Sequence, residues 1–330
     1  GAALAALLLA AGLAEPAAAQ QDGAVVLAYG RVGDDRQPAL SIRLDQFEAH
    51  LRELRAGGRP VLPLAAVLAG LDAGHPLPDR AVAITIDDAT RSALDVAVPR
   101  LRAAGLPFTL FVVPEAVDRG APTHAAWREL RALHDAGVSI GLLTPALTAA
   151  EISRSARRLR DELGRPPEIV AYLGGVISPA QRGLVAGQGF RAAFTQASGA
   201  VHGGSDRLAL PRFFMNESFG SLERFLLVAD ALPLPVSDVT PADPVLGPNP
   251  PAIGFTVAEE VGDLARLSCF ASNQGRAAVE RLGGGRIEVR LTEPFPPGRG
   301  RVNCTLPAGD GRWRWFGLQL AVPGESGSPE

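Results

Sequence analysis

The stretch AVAITIDDAT (81–90) ends an apolar, β-branched run on two adjacent carboxylates, Asp87 and Asp88. Neighbouring acids can divide labour: one holds a divalent metal, and the other takes a proton from metal-bound water. The bland alternative is a turn acid that closes a strand. Few partners for such chemistry exist. The histidines are His50, His75, His124, His134 and His202. His50 falls on a helix and His75 in a loop before Pro76. His124 and His134 are not spaced i, i+4. His202, beside Gly203-Gly204-Ser205-Asp206 and after an expected strand, is the one candidate for a rebuilt metal site. An exposed loop residue is its simpler reading. No G-x-S-x-G nucleophile elbow is present, and the Gly203-Gly204 and Gly283-Gly284-Gly285 runs lack a phosphate-loop pattern. All 32 basic residues are arginine, so no Schiff-base or phosphate-loop lysine exists.

The elements that must position these acids alternate. Apolar strands are expected at AVVLAY (24–29), AVAITI (81–86), PFTLFVV (107–113), VSIGLL (138–143), EIVAYL (168–173) and FRAAFT (190–195). Helices with apolar residues at 3.6-residue spacing lie between them and stop on glycines, as in LDQFEAHLRELRAGG (44–58) and AAWRELRALHDAG (125–137). Continuous apolar strands separated by helices predict a parallel sheet covered by helices. About seven such units in about 210 residues suit a barrel, whose functional groups gather at the strand C-termini, where Asp87 and Asp88 fall. After residue 234 the texture changes. Residues 235–252 are rich in proline and read as a linker. Beyond them, IGFTV, ARLSCF, RIEVRL, RVNCTL and WRWFGLQLAV predict a small all-β sandwich over 253–324.

TIDDAT, followed by a helix and then PFTLFV, resembles the first motif of the polysaccharide deacetylases, carbohydrate esterase family four. The resemblance extends in order through YGRVGDD, FEAHLREL, LPDRAVAITIDDA, LRAAGLPFTLFV, LHDAGVSIG, ELGRPPEIVAYLGG, GFRAAF and DRLALPRF. It implies a distorted (β/α)7 barrel over 23–234 and metal-dependent removal of acetyl groups from N-acetylated sugars. It also implies that Asp87 is the base and Asp88 a metal ligand.

The chain departs from that family at the second motif, where two histidines complete the metal site. GLLTPAL (141–147) puts Leu143 and Leu147 at those positions. Leucine offers no lone pair, and catalytic zinc takes three protein ligands plus an open position. Thr148 and Glu151 form a capping-box pattern, which casts Leu147 and Ile152 as a hydrophobic staple. The family's Tyr-Pro-Tyr-Gly is Tyr172-Leu173-Gly174-Gly175 here. A backbone N–H at Gly174 remains available in principle for an oxyanion. The first strand ends Tyr29-Gly30 where relatives have Tyr-His.

A net charge of −3 gives no basic surplus for nucleic acid. The N-terminal run Ala2–Leu13, followed by Ala17-Ala18-Ala19, reads as a secretory signal peptide over 1–22, with an uncleaved anchor as the alternative. No later segment has the length of a membrane span, so the protein is expected to be exported, periplasmic or extracellular. Export favours a Cys269–Cys304 disulfide over two free thiols. Trp313 and Trp315 share one strand face, as sandwich core or as sugar-stacking rings. Three functions follow. The favoured one is a catalytically degenerate deacetylase-like protein that binds an envelope polysaccharide or protein partner and needs no cofactor. The second is an active deacetylase using zinc or another divalent metal. The third is a scaffold acting through its β-sandwich.

Overall fold

The computed structural model describes residues 23–144 and 148–324. The expected signal peptide and Leu147 lie outside them. The first part runs β1 (Gly23–Tyr29), β2 (Arg31–Val32), β3 (Ser41–Ile42), α1 (Leu44–Arg55), α2 (Leu64–Ala73), β4 (Val82–Asp87), a π-helical turn (Ala93–Ala97) into α3 (Val98–Ala103), β5 (Thr109–Val112), α4 (Pro114–Asp118), α5 (Trp127–Asp135), β6 (Ser139–Thr144), α6 (Ala149–Leu163), β7 (Ile169–Tyr172), α7 (Pro179–Ala186), β8 (Ala192–Phe194), β9 (Val201–His202), β10 (Phe213–Met215) and α8 (Leu222–Ala229).

Seven of these strands form a parallel sheet in the order β10-β1-β4-β5-β6-β7-β8, with β9 antiparallel to the start of β1. Alternation sorts each strand into two faces. Leu27, Ile84, Leu110, Leu142 and Val170 belong to a core shared with the covering helices. Val26, Ala83, Phe111, Leu143, Ala171 and Phe194 form a second cluster inside the curl. Leu64, Val67, Leu68 and Leu71 of α2 join the inner cluster, which explains why that helix has little polar face. The result is a curled half-barrel. This is consistent with the expected distorted barrel, with a seam at which β8 and β10 share no ladder and a single pairing of Phe194 with Leu210 bridges the gap.

The second part comprises β11 (Leu232–Pro233), β12 (Val236–Thr240), β13 (Ile253–Val257), β14 (Ser268–Ala271), β15 (Gly275–Arg281), β16 (Arg286–Arg290), β17 (Gly298–Pro307) and β18 (Trp313–Val322). The sequence suggests two separate layers. Instead the strands make one unbroken sheet, β11-β18-β17-β14-β15-β16-β13-β12. It curls over a single core in which Phe255, Ile287 and Val289 meet Val302, Cys304 and Leu320. The stretch read as a linker is not one: β12 lies within it, paired with β13, and Leu246 is buried in the same core. Its prolines sit at the turns, where no ladder donor is needed. Cys269 and Cys304 face each other on β14 and β17 and are joined by a disulfide. Among the described residues no helix is long and apolar enough to cross a membrane.

Candidate active site

Asp87 ends β4 on the inner face, two residues after Thr85, and is 7% exposed. A carboxylate in that apolar curl demands a counter-charge. Arg212, fully buried, supplies it. Its two terminal nitrogens donate to Asp87 Oδ1 at 2.6 Å and Oδ2 at 2.8 Å, and its Nε donates to the Thr195 carbonyl at 2.9 Å. Thr85 Oγ1 accepts from the same guanidinium at 3.1 Å. The guanidinium carbon also lies 5.5 Å from the Phe111 ring centroid and 5.9 Å from that of Phe194. Gln196 Nε2 sits 3.5 Å from Oδ2. Both oxygens of Asp87 are therefore engaged by a fork that matches a carboxylate in shape. Sequence reasoning quoted Arg212 within DRLALPRF without giving it a role. An arginine entering a strand of a buried parallel sheet is itself a signal, because such a charge needs a buried partner.

Asp88 takes a left-handed backbone, φ 70°, uncommon for a residue with a side chain. Its Oδ2 lies 3.1 Å from His124 Nε2, while its Oδ1 is buried with no hydrogen-bond partner. An orphaned buried oxygen and a strained backbone are features of a carboxylate held for a ligand. Whether a metal fits depends on the donor set. Leu143 is 1% exposed within the inner apolar cluster, and no group of three His, Cys, Asp or Glu side chains converges among the described residues. Asp88 and His124 are two donors, one short of the three that catalytic zinc takes. The residues present do not fit that centre.

The other sequence candidates separate. His202 does not approach the carboxylates. It pairs with Gly23 at the start of β1, whereas Tyr29, six residues on, lies level with Ile86 beside Asp87. That distance is about 20 Å along the strand. His202 and His75 instead line a cavity of about 1220 Å³ near that end. His50 is buried: its Nε2 donates to the Gly220 carbonyl at 2.9 Å, and its Nδ1 accepts from the Tyr29 hydroxyl at 3.1 Å. The capping box forms as expected, with Glu151 N–H donating to Thr148 Oγ1 and Thr148 N–H to Glu151 Oε2. His124 was the histidine missed; it arrives from a loop, and no spacing announces it.

Gly174 and Gly175 follow β7 in left-handed conformations, φ 80° and 77°. The Gly175 carbonyl accepts from the backbone N–H of Gln196 at 3.2 Å, so this turn abuts the Asp87 site. The β17–β18 hairpin covers the same turn. Its even-numbered residues Val302, Cys304, Leu318 and Leu320 face the second core. The opposite face therefore presents Arg299, Arg301, Asn303, Trp315, Gly317 and Gln319 toward the half-barrel. Gln319 Nε2 donates to the Gly174 carbonyl at 2.9 Å. Trp315 stands edge-on to Phe213 at 5.3 Å and donates through Nε1 to Asn303. Trp315, read from the sequence as sandwich core or a sugar-stacking ring, thus packs against the half-barrel.

The acids at the end of β4 lie at the C-terminal edge of a curled parallel sheet, where α/β barrels carry their functional groups. Residues 74–193 match the polysaccharide deacetylase family model. Its structure is similar to that of the Streptococcus pyogenes deacetylase PplD in complex with acetate, with a TM-score of 0.57 and 19% identity over 63% of this chain and 98% of that one. IcaB from Ammonifex degensii gives a TM-score of 0.57 and 24% identity over 64% and 98%. A de-N-acetylase from Aggregatibacter actinomycetemcomitans gives 0.55 and 18% over 62% and 99%. At these identities the likeness speaks for the fold. No curated protein matches the chain in sequence.

Proposed function

We propose that this chain is an exported, polysaccharide deacetylase-like protein that has lost metal-dependent hydrolysis and binds an envelope glycan at the half-barrel rim. The observation that carries this reading is the donor set around Asp88. One carboxylate and one imidazole are the donors present, and Leu143, where the family places a histidine, is buried in the inner apolar cluster. The Asp87–Arg212 pair persists because it holds the interior together, whether or not Asp87 acts as a base. Gly174 keeps the backbone position suited to an oxyanion, although its carbonyl is tied to Gln319. Export is supported by the N-terminal apolar run and by the disulfide, which belongs to oxidising compartments.

A second reading rests on the orphaned Asp88 Oδ1. In it Asp88 and His124 hold a divalent metal and the protein hydrolyses N-acetyl groups. Calorimetric titration of the chelator-treated chain with zinc and cobalt separates the two. Loss of function predicts no tight site. Stoichiometric tight binding, abolished in Asp88→Ala, refutes it and restores the hydrolase.

A further inference from the structure

Most well-buried arginines of this chain are paired with acids. Arg212 holds Asp87, Arg59 holds Asp230 and Arg312 holds Asp79. Three arginines at the junction of the two sheets, Arg224 and Arg301 half-buried and Arg299 exposed, have no such acid. Arg224 lies on α8, and Arg299 and Arg301 project from the face of β17 turned to the half-barrel. The Arg301 and Arg224 guanidinium carbons lie 4.8 Å and 5.1 Å from the centroid of the Phe219 ring, and Arg224 is 5.6 Å from that of Trp315. Arg299 meets the turn beside the acids: a β-carbon on Gly174 would lie 2.8 Å from its guanidinium. Among the described residues none of the three guanidinium groups has a carboxylate partner or a hydrogen-bond acceptor, and the Arg224 Nε is buried without one. Burial pushes all three below the usual arginine range. The neighbouring charge of Arg301 adds to this at Arg224, and that of Arg299 adds to it at Arg301.

Three cations gathered without a counter-ion repel one another and lose hydration. Aromatic faces offset part of that cost. A bidentate anion would offset more, since the guanidinium fork matches a carboxylate. We propose that Arg224, Arg299 and Arg301 form a binding site for the carboxylates of an acidic, uronate-bearing polysaccharide lying across the rim. This rests on the glycan-binding reading above and names its substrate class. The site adjoins the Gly174–Gly175 turn, which contacts Gln196 and through it Asp87, so one chain can span the arginines and the acids.

The test is calorimetric binding of a galacturonate hexamer to the full chain, beside the same oligomer methyl-esterified and a neutral N-acetylglucosamine oligomer. The acid oligomer should bind more tightly than its ester. Arg299→Gln and Arg301→Gln should each weaken it by about tenfold, the usual strength of one charge-assisted pair, and leave the neutral oligomer unaffected. Arg299 is solvent-exposed, so its variant should fold, and thermal unfolding of both variants checks this. Equal affinity for acid and ester overturns the proposal. So does a lowered melting temperature with unchanged uronate affinity, which marks the arginines as structural. Retained neutral-oligomer binding with no uronate preference sinks this site alone, whereas binding to no oligomer sinks the glycan reading with it. Tight metal binding in the earlier titration would end the degenerate reading and leave the arginine site standing.

Discussion

Replacing Arg212 with methionine should destabilise the half-barrel by about 3–5 kcal/mol, the cost of stranding one partner of a buried ion pair. The structure explains the size. Asp87 would keep only Gln196, at 3.5 Å, and would remain in a curl lined by Phe111, Phe194 and Leu210. Methionine fills much of the vacated volume, so the cavity contribution is small and the lost charge dominates. The double variant Asp87→Leu/Arg212→Met should recover most of the loss, because an apolar pair of similar volume often replaces a buried ion pair at little cost. Urea unfolding followed by helical circular dichroism isolates the relevant part, since among the described residues all eight α-helices precede the second sheet. A single-variant loss below about 1 kcal/mol, or additive losses in the double variant, would falsify the view that the pair is mutually dependent.

Reducing the Cys269–Cys304 bond, or replacing both cysteines with serine, should cost roughly 3–4 kcal/mol in the chain-entropy model, read as a lower unfolding midpoint in reductant. Burial lowers the His50 imidazole from the ordinary 6.5 to about 4, partly opposed by its bond to the Gly220 carbonyl. The folded state therefore binds this proton less readily than the unfolded one. The contribution is complete above pH 6.5 and is lost as pH falls toward 4, by about 3 kcal/mol in total. His50→Asn should show a shallower decline over that window than the parent chain. Leu143→Ala should cost about 2–5 kcal/mol through the cavity it leaves, measured by the same urea midpoint.

The strand–helix alternation was legible because each inner strand is a continuous apolar run bounded by glycine or proline. Elements that escaped notice have physical reasons for doing so. Helix α2, LAAVLAGLDA, is largely apolar and so lacks the one-sided pattern of a surface helix. Strand β10 spans three residues, and β12 hides among prolines that mark its ends. Strand β15, GRAAVER, is mostly exposed, so little alternation survives in it. At the site, Asp87 and Asp88 were readable from one stretch. Their partners were not. Arg212 is 125 residues away in sequence from Asp87, and His124 is 36 from Asp88. Strand pairing across β10, β1 and β4 brings Arg212 to Asp87, and a bridge between Thr90 and His124 brings the imidazole to Asp88.

The β17–β18 hairpin also fixes an order of assembly. It holds the last strand of the described chain, and that strand pairs with β11 directly after the half-barrel ends. A chain made from its N-terminus completes every strand of the first sheet well before Trp315 and Gln319 exist, and domains generally fold as units in that sequence. During that interval Phe213 has no tryptophan against it and the Gly174 carbonyl has no side-chain donor from β18. The rim is thus open to its surroundings until β18 has been made, and a truncation shortly before residue 313 should give a folded but sticky first half.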